Sequence, residues 1–185
     1  MTCTKRTILT TLLIITAMAT AAQAGPSAYV GMTLPQEAWG NVADTGPHAG
    51  IELTVPVIPM LLQVGGQASI SRNSFDTTDV PILDGYDATF YTGEVLGIAK
   101  LTVPITGVYL KAGLGFNHFR VNGDIDYDSE THLTGAIGAG WNVMMLDINM
   151  MYHVVKWDEE SEIPTDPDDV NVDYSYFTAS VGFGF

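Results

Sequence analysis

Five ionisable side chains interrupt otherwise uncharged stretches of this 185-residue chain: Glu52, Glu94, Lys100, Lys111 and Asp147. Two cations against three anions allow two chemistries. Held together away from water, they neutralise one another, because an isolated buried charge is costly. Arranged around a passage, they gate it by exchanging partners. Acidic runs offer a third chemistry. Asp124, Asp126 and Asp128 are spaced like the opening of a calcium loop, but Ser129 and Gly135 stand where glycine and glutamate are required. These three are weak metal candidates. With the acidic run over 158–169 they are expected to be solvated loop charges that hold divalent ions loosely.

Nucleophilic chemistry finds little support. No G-x-S-x-G and no His-x-Ser pair occurs. His48, His132 and His153 fall at rim or interior positions of the pattern described below, and His118 near the outer end of a strand. The glycines of "GLGFNHF" lie on a strand that no helix follows, so they cradle no phosphate. No catalytic residue and no cofactor is expected.

The elements that position these charges alternate with period two, the mark of strands with two unlike faces. Near the end of the chain Phe177, Ala179, Val181, Phe183 and Phe185 oppose Tyr176, Thr178, Ser180, Gly182 and Gly184. Leu146, Ile148, Met150, Tyr152 and Val154 oppose Asp147, Asn149, Met151 and His153. Leu133, Ile137, Ala139, Trp141 and Val143 oppose Thr134, Gly138, Gly140 and Asn142, and Val108 to Phe116 oppose Tyr109, Lys111, Gly113 and Gly115. Earlier segments parse alike: Tyr91, Val95, Ala99 and Leu101 against Glu94 and Lys100; Leu62 to Ile70 against Gln63 and Gln67; Ile51, Leu53 and Val55 against Glu52 and Thr54; and Ala28 to Leu34. That makes eight strands. Their connections run long over 35–47, tight over 56–60, long over 73–87, tight over 103–106, middling over 122–130, tight over 143–145 and long over 158–171. Each charge of the first set falls on the polar face.

Residues 1–24 read as an export signal. Lys5 and Arg6 precede an apolar run, and Ala22-Gln23-Ala24 is a small-x-small cleavage site. Residues 25–185 are then the mature domain. Its cysteine count is zero, because Cys3 lies in the signal, so disulfides and thiolate sites are excluded. Of seven Lys and Arg, five remain against 21 Asp and Glu, which argues against a nucleic-acid partner.

The apolar face carries aromatics toward both ends, with Trp141, Phe183 and Phe185 near the tight turns and Tyr91, Tyr152 and Phe177 toward the loops. Phe177 to Phe185 covers roughly 19 Å of depth at ~45° tilt, close to an apolar band with two girdles. This predicts an all-β, eight-stranded antiparallel up-and-down transmembrane β-barrel, with a soluble lipocalin-like barrel as the alternative that would turn the apolar face inward. The end "SVGFGF" (Val181, Phe183, Phe185) resembles the terminal strand of small bacterial outer-membrane barrels of the OmpA-barrel and OmpX type. The resemblance implies an outer-membrane protein with both termini in the periplasm. It also implies contact with outer-membrane lipid and lipopolysaccharide, and recognition of the last strand by the barrel-assembly machinery. The expected role is non-enzymatic, structural to the envelope or interacting at the surface, with a plugged lumen and acidic loops whose partner is unnamed. A narrow solute passage gated by the lumenal charges is the alternative, and a lipid A-modifying enzyme a further one.

Overall fold

The computed structural model describes residues 25–40, 43–74, 88–123, 129–156 and 174–184. Phe185, Asp124, Asp126, Asp128, the export segment and the acidic run over 158–169 lie outside the described residues. Eight strands follow in order: β1 (Gly25–Gln36), β2 (Gly46–Ile58), β3 (Leu62–Ser74), β4 (Ala88–Thr102), β5 (Val108–Gly123), β6 (Glu130–Val143), β7 (Leu146–Lys156) and β8 (Tyr174–Gly184). A single helical turn, α1 (Glu37–Gly40), sits between the first two. Each strand pairs antiparallel with its sequence neighbour. β1 closes the ring on β8, with Ser27 opposite Gly184 and Gln36 opposite Ser175. No sheet edge remains open, the condition for a sheet to cross lipid.

Burial runs opposite to a soluble barrel. Lys100, Lys111, Glu52 and Glu94 are buried, while Val30, Ile51, Val95, Leu114 and Ile137 are each more than 60% exposed. Apolar side chains therefore point outward and polar ones inward, which removes the lipocalin alternative. The strands outrun the readings from periodicity, because their ends continue past the apolar band. β2 absorbs Pro56–Ile58, expected as part of a tight turn, and the proline is accommodated by a register shift between Pro56 and Ile58. Each tight turn bends through a residue in left-handed backbone: Met60 (φ 64°), Ile105 (φ 80°) and Met144 (φ 57°). Trp141 caps the second turn, its indole Nε1 donating to the Thr106 carbonyl at 2.6 Å.

Two glycines shape the interior. Tyr29 lies across its cross-strand partner Gly50, and Tyr109 across Gly140. A Cβ on Gly140 would overlap the Tyr109 hydroxyl and Cζ. Gly140→Ala is accordingly expected to push Tyr109 off the wall and cost about 1–3 kcal/mol, read as a lower urea midpoint. An unchanged midpoint would show that the ring relaxes without cost.

Candidate functional site in the barrel lumen

Lumenal side chains form layers whose order can be followed along β4. From loop end to turn end its inward residues are Ala88, Phe90, Thr92, Glu94, Leu96, Ile98, Lys100 and Thr102.

At the turn end, register places Lys100 directly opposite Lys111 on the neighbouring strand. Like charges so placed repel, and the wall tolerates them only because carboxylates from across the barrel reach between them. Glu52 of β2 contacts both, at 3.0 Å from Lys111 Nζ and 3.7 Å from Lys100 Nζ. Asp147 of β7 lies 2.8 Å from Lys100. Lys111 also donates to Gln67 Oε1 at 3.0 Å, and Asp147 accepts from the Tyr109 hydroxyl and from Asn149 Nδ2. Lys100 Nζ stands 3.9 Å from the Tyr109 ring centroid, a cation–π contact that shields it from below. Two cations and two anions close this network at neutrality. Beneath it a cavity of about 430 Å³ opens toward the short turns, lined by Ser27, Glu52, Thr54, Gln63, Lys100 and Asp147 among others.

Above it Leu96, Ile98, Ala136 and Met151 form an apolar layer. Periodicity assigned the charges of β4 to the lumen but passed over Leu96 and Ile98, although both share parity with Glu94 and Lys100.

The expected five-charge cluster is divided. Glu94 stands on the far side of the apolar layer, in a separate network with His153, because it lies six positions before Lys100 on β4, with Leu96 and Ile98 pointing inward between them. Glu94 Oε2 meets His153 Nδ1 at 2.9 Å and accepts from the Tyr176 hydroxyl at 2.9 Å and Thr134 Oγ1 at 3.4 Å. His153 stacks on Tyr176 at 4.5 Å, and its Nε2 lies 3.1 Å from Thr178 Oγ1. Asn117 Nδ2 donates to the Tyr176 oxygen at 3.0 Å. In the tautomer whose Nδ1–H donates to Glu94, the His153 Nε2 accepts from the Thr178 hydroxyl. The order carboxylate, imidazole, hydroxyl has the chemistry of a nucleophile chain. Glu94, His153 and Thr178 are only 3%, 0% and 2% exposed, however, so the hydroxyl meets no substrate in this conformation.

The loop end is aromatic. Trp39, carried inward by α1, packs edge-on against Phe90 at 4.6 Å, Phe119 at 5.3 Å and Tyr174 at 4.5 Å. Ala43, Ala88, Val121, Val155 and Tyr176 complete this cap. No periodic signal marks Trp39, which lies in a connection rather than on a strand.

Most of the remaining candidates sit outside the lumen. Tyr91, Trp141, Phe183 and Val181 are exposed on the outer wall, and Tyr152 packs on Phe177 there at 4.8 Å. His118 also faces outward, with Nδ1 2.9 Å from Thr131 Oγ1. His48 is lumenal and stacks on Tyr29, while His132 pairs with Glu130 at 3.0 Å. Among the described residues no three His, Asp or Glu side chains stand close enough together to hold a metal ion.

Comparison with known proteins agrees with this architecture. Residues 7–185 match the family described as outer membrane protein beta-barrel domain. Among solved structures, the chain is similar to Ail, the attachment invasion locus protein of Yersinia pestis, in complex with the heparin analogue sucrose octasulfate. The two are 16% identical with a TM-score of 0.57, over 88% of this chain and 99% of that one. It is also similar to Neisserial surface protein A, NspA, at 14% identity and a TM-score of 0.50, over 86% of this chain and 96% of the other. At such identities the likeness is one of fold. No curated protein sequence matches the chain.

Proposed function

The chain belongs to the outer-membrane protein β-barrel family, and from that membership we propose that it is a sealed, non-enzymatic barrel serving the envelope through its wall and loops. The observation that carries this reading is the succession of side-chain layers inside the barrel. A neutral ion-pair floor, an apolar layer, the Glu94–His153 network and an aromatic cap follow one another along the barrel axis. Eight strands leave an interior only just wide enough for side chains, and each layer here uses that width differently. Residues 1–24 are removed as an export signal, and the short turns with both termini face the periplasm. The acidic connections then face outward, where they keep the surface soluble and meet partners. Non-enzymatic character is supported by the sealed Thr178 hydroxyl.

The test is ion conductance of the refolded protein in a planar bilayer. Silence in the wild type is the expected result. Steady conductance would overturn the sealed reading in favour of a narrow passage for small solutes. One observation favours that second reading: the cavity beneath Lys100 and Asp147 brings the aqueous vestibule to the ion-pair floor itself.

A further inference from the structure

We propose that the outer wall at the loop end holds a phosphate-bearing lipid headgroup of the surrounding leaflet, seated on Arg72, Tyr91 and Arg120.

Past residue 24 the chain has five Lys and Arg: Arg72, Lys100, Lys111, Arg120 and Lys156. Two are engaged in the lumen. The other three all occupy exposed, outward positions near the loop ends of β3, β5 and β7. Carboxylates do the opposite. The four in the described strands, Glu52, Glu94, Glu130 and Asp147, all have lumenal parity. A chain with 21 acidic residues thus keeps its strand carboxylates off the outer wall and places three cations there, at one end only. Solubility does not require this arrangement, because the acidic connections already supply charge. A negatively charged surrounding at that level does.

The level is that of lipid headgroups. Arg72 lies ten residues beyond Leu62, Arg120 twelve beyond Val108 and Lys156 ten beyond Leu146. At about 3.4 Å per residue and ~45° tilt, each stands roughly 24–29 Å above the turn end, one apolar-band height away. Register then converges two of them on one aromatic. Tyr91 is paired with Arg72 on one side and Arg120 on the other, so the two arginine Cα atoms lie only about 10 Å apart. Arg72 Cζ is already 5.9 Å from the Tyr91 ring centroid. None of the three cations is in an ion pair with a described residue. Guanidinium forks match phosphate oxygens bidentately, and an interfacial tyrosine supports the headgroup beside them.

The inference rests on the outer-membrane reading but not on the sealed lumen. Its test uses the full chain refolded into phosphatidylcholine vesicles containing diphosphorylated lipid A or the same glycolipid without phosphates. The readouts are the lipid that co-purifies and the thermal unfolding midpoint. The phosphorylated lipid is expected to be retained and to raise the midpoint. Arg72→Gln/Arg120→Gln should retain it about thirtyfold less, the effect of two cations at a membrane surface, with an unchanged midpoint in phosphatidylcholine alone. Arg72→Lys/Arg120→Lys should restore only part. Equal retention of the phosphate-free glycolipid, full retention by the Gln variant, or full rescue by lysine would each overturn the site. So would inorganic tripolyphosphate raising the midpoint as much in pure phosphatidylcholine, which would make the rim a site for soluble anions. Failure of the wild type to insert at all would instead strike the outer-membrane reading.

Discussion

Lys100→Met is expected to lower the unfolding free energy by about 3–5 kcal/mol, the range for removing one partner of a buried charge pair. The substitution has two opposed effects. It relieves the cross-strand repulsion between Lys100 and Lys111, worth about 0.2–1 kcal/mol. It also leaves Glu52 and Asp147 sharing one remaining cation. Glu52 keeps Lys111 at 3.0 Å, but Asp147 loses its 2.8 Å partner and retains only the neutral donors Tyr109 and Asn149. The stranded carboxylate dominates by several-fold. Asp147→Asn in the same chain removes that charge and returns the network to one cation against one anion. The double variant should therefore recover about half of the loss or more, a coupling read from the double-mutant cycle. Urea unfolding of the barrel in detergent, followed by tryptophan fluorescence, measures both. A single variant that unfolds at the wild-type midpoint, or a double variant no better than the single, would remove the ion-pair floor as a structural element.

Period-two alternation made the strands and their faces legible, since one repeated parity fixes where every side chain points. Lys100, Lys111, Glu52 and Asp147 could be read as lumenal for that reason. Their grouping could not, because parity sets the face while depth depends on strand stagger across the barrel. Glu94 is different: it lies six residues from Lys100 on the same strand, so its distance from the lysines was legible along β4, whereas its pairing with His153 was not. His153 shares parity with Asp147, so its lumenal position was legible, but its partner lies 59 residues away in sequence and becomes a neighbour only on closure. Trp39 was hidden for another reason. It belongs to no alternating segment, and its position depends on α1 folding back over the mouth, where the Trp39 carbonyl accepts from Ala43 N at 3.0 Å.

Trp39→Ala is expected to cost about 3–5 kcal/mol, as for deleting a large aromatic from a packed cluster. The indole fills the space between Phe90, Phe119 and Tyr174 and is only 7% exposed, so its removal leaves a cavity lined by three rings from three strands. Those rings cannot simply collapse inward, because the strands that carry them are held apart by the closed ladder. Trp39→Phe separates packing from polarity. Trp39 Nε1 is buried with no hydrogen-bond partner among the described residues, so the phenyl ring forfeits volume but no bond and should recover most of the loss. Bilayer conductance distinguishes a cap from a gate. On the sealed reading, Leu96 and Met151 close the middle and Lys100–Asp147 the floor without the cap, so Trp39→Ala should stay silent while unfolding more readily. Steady current from this variant alone would mean that the lower layers do not seal and that the aromatic mouth is the barrier. An unchanged unfolding midpoint would mean that Trp39 rests on the mouth without holding it closed.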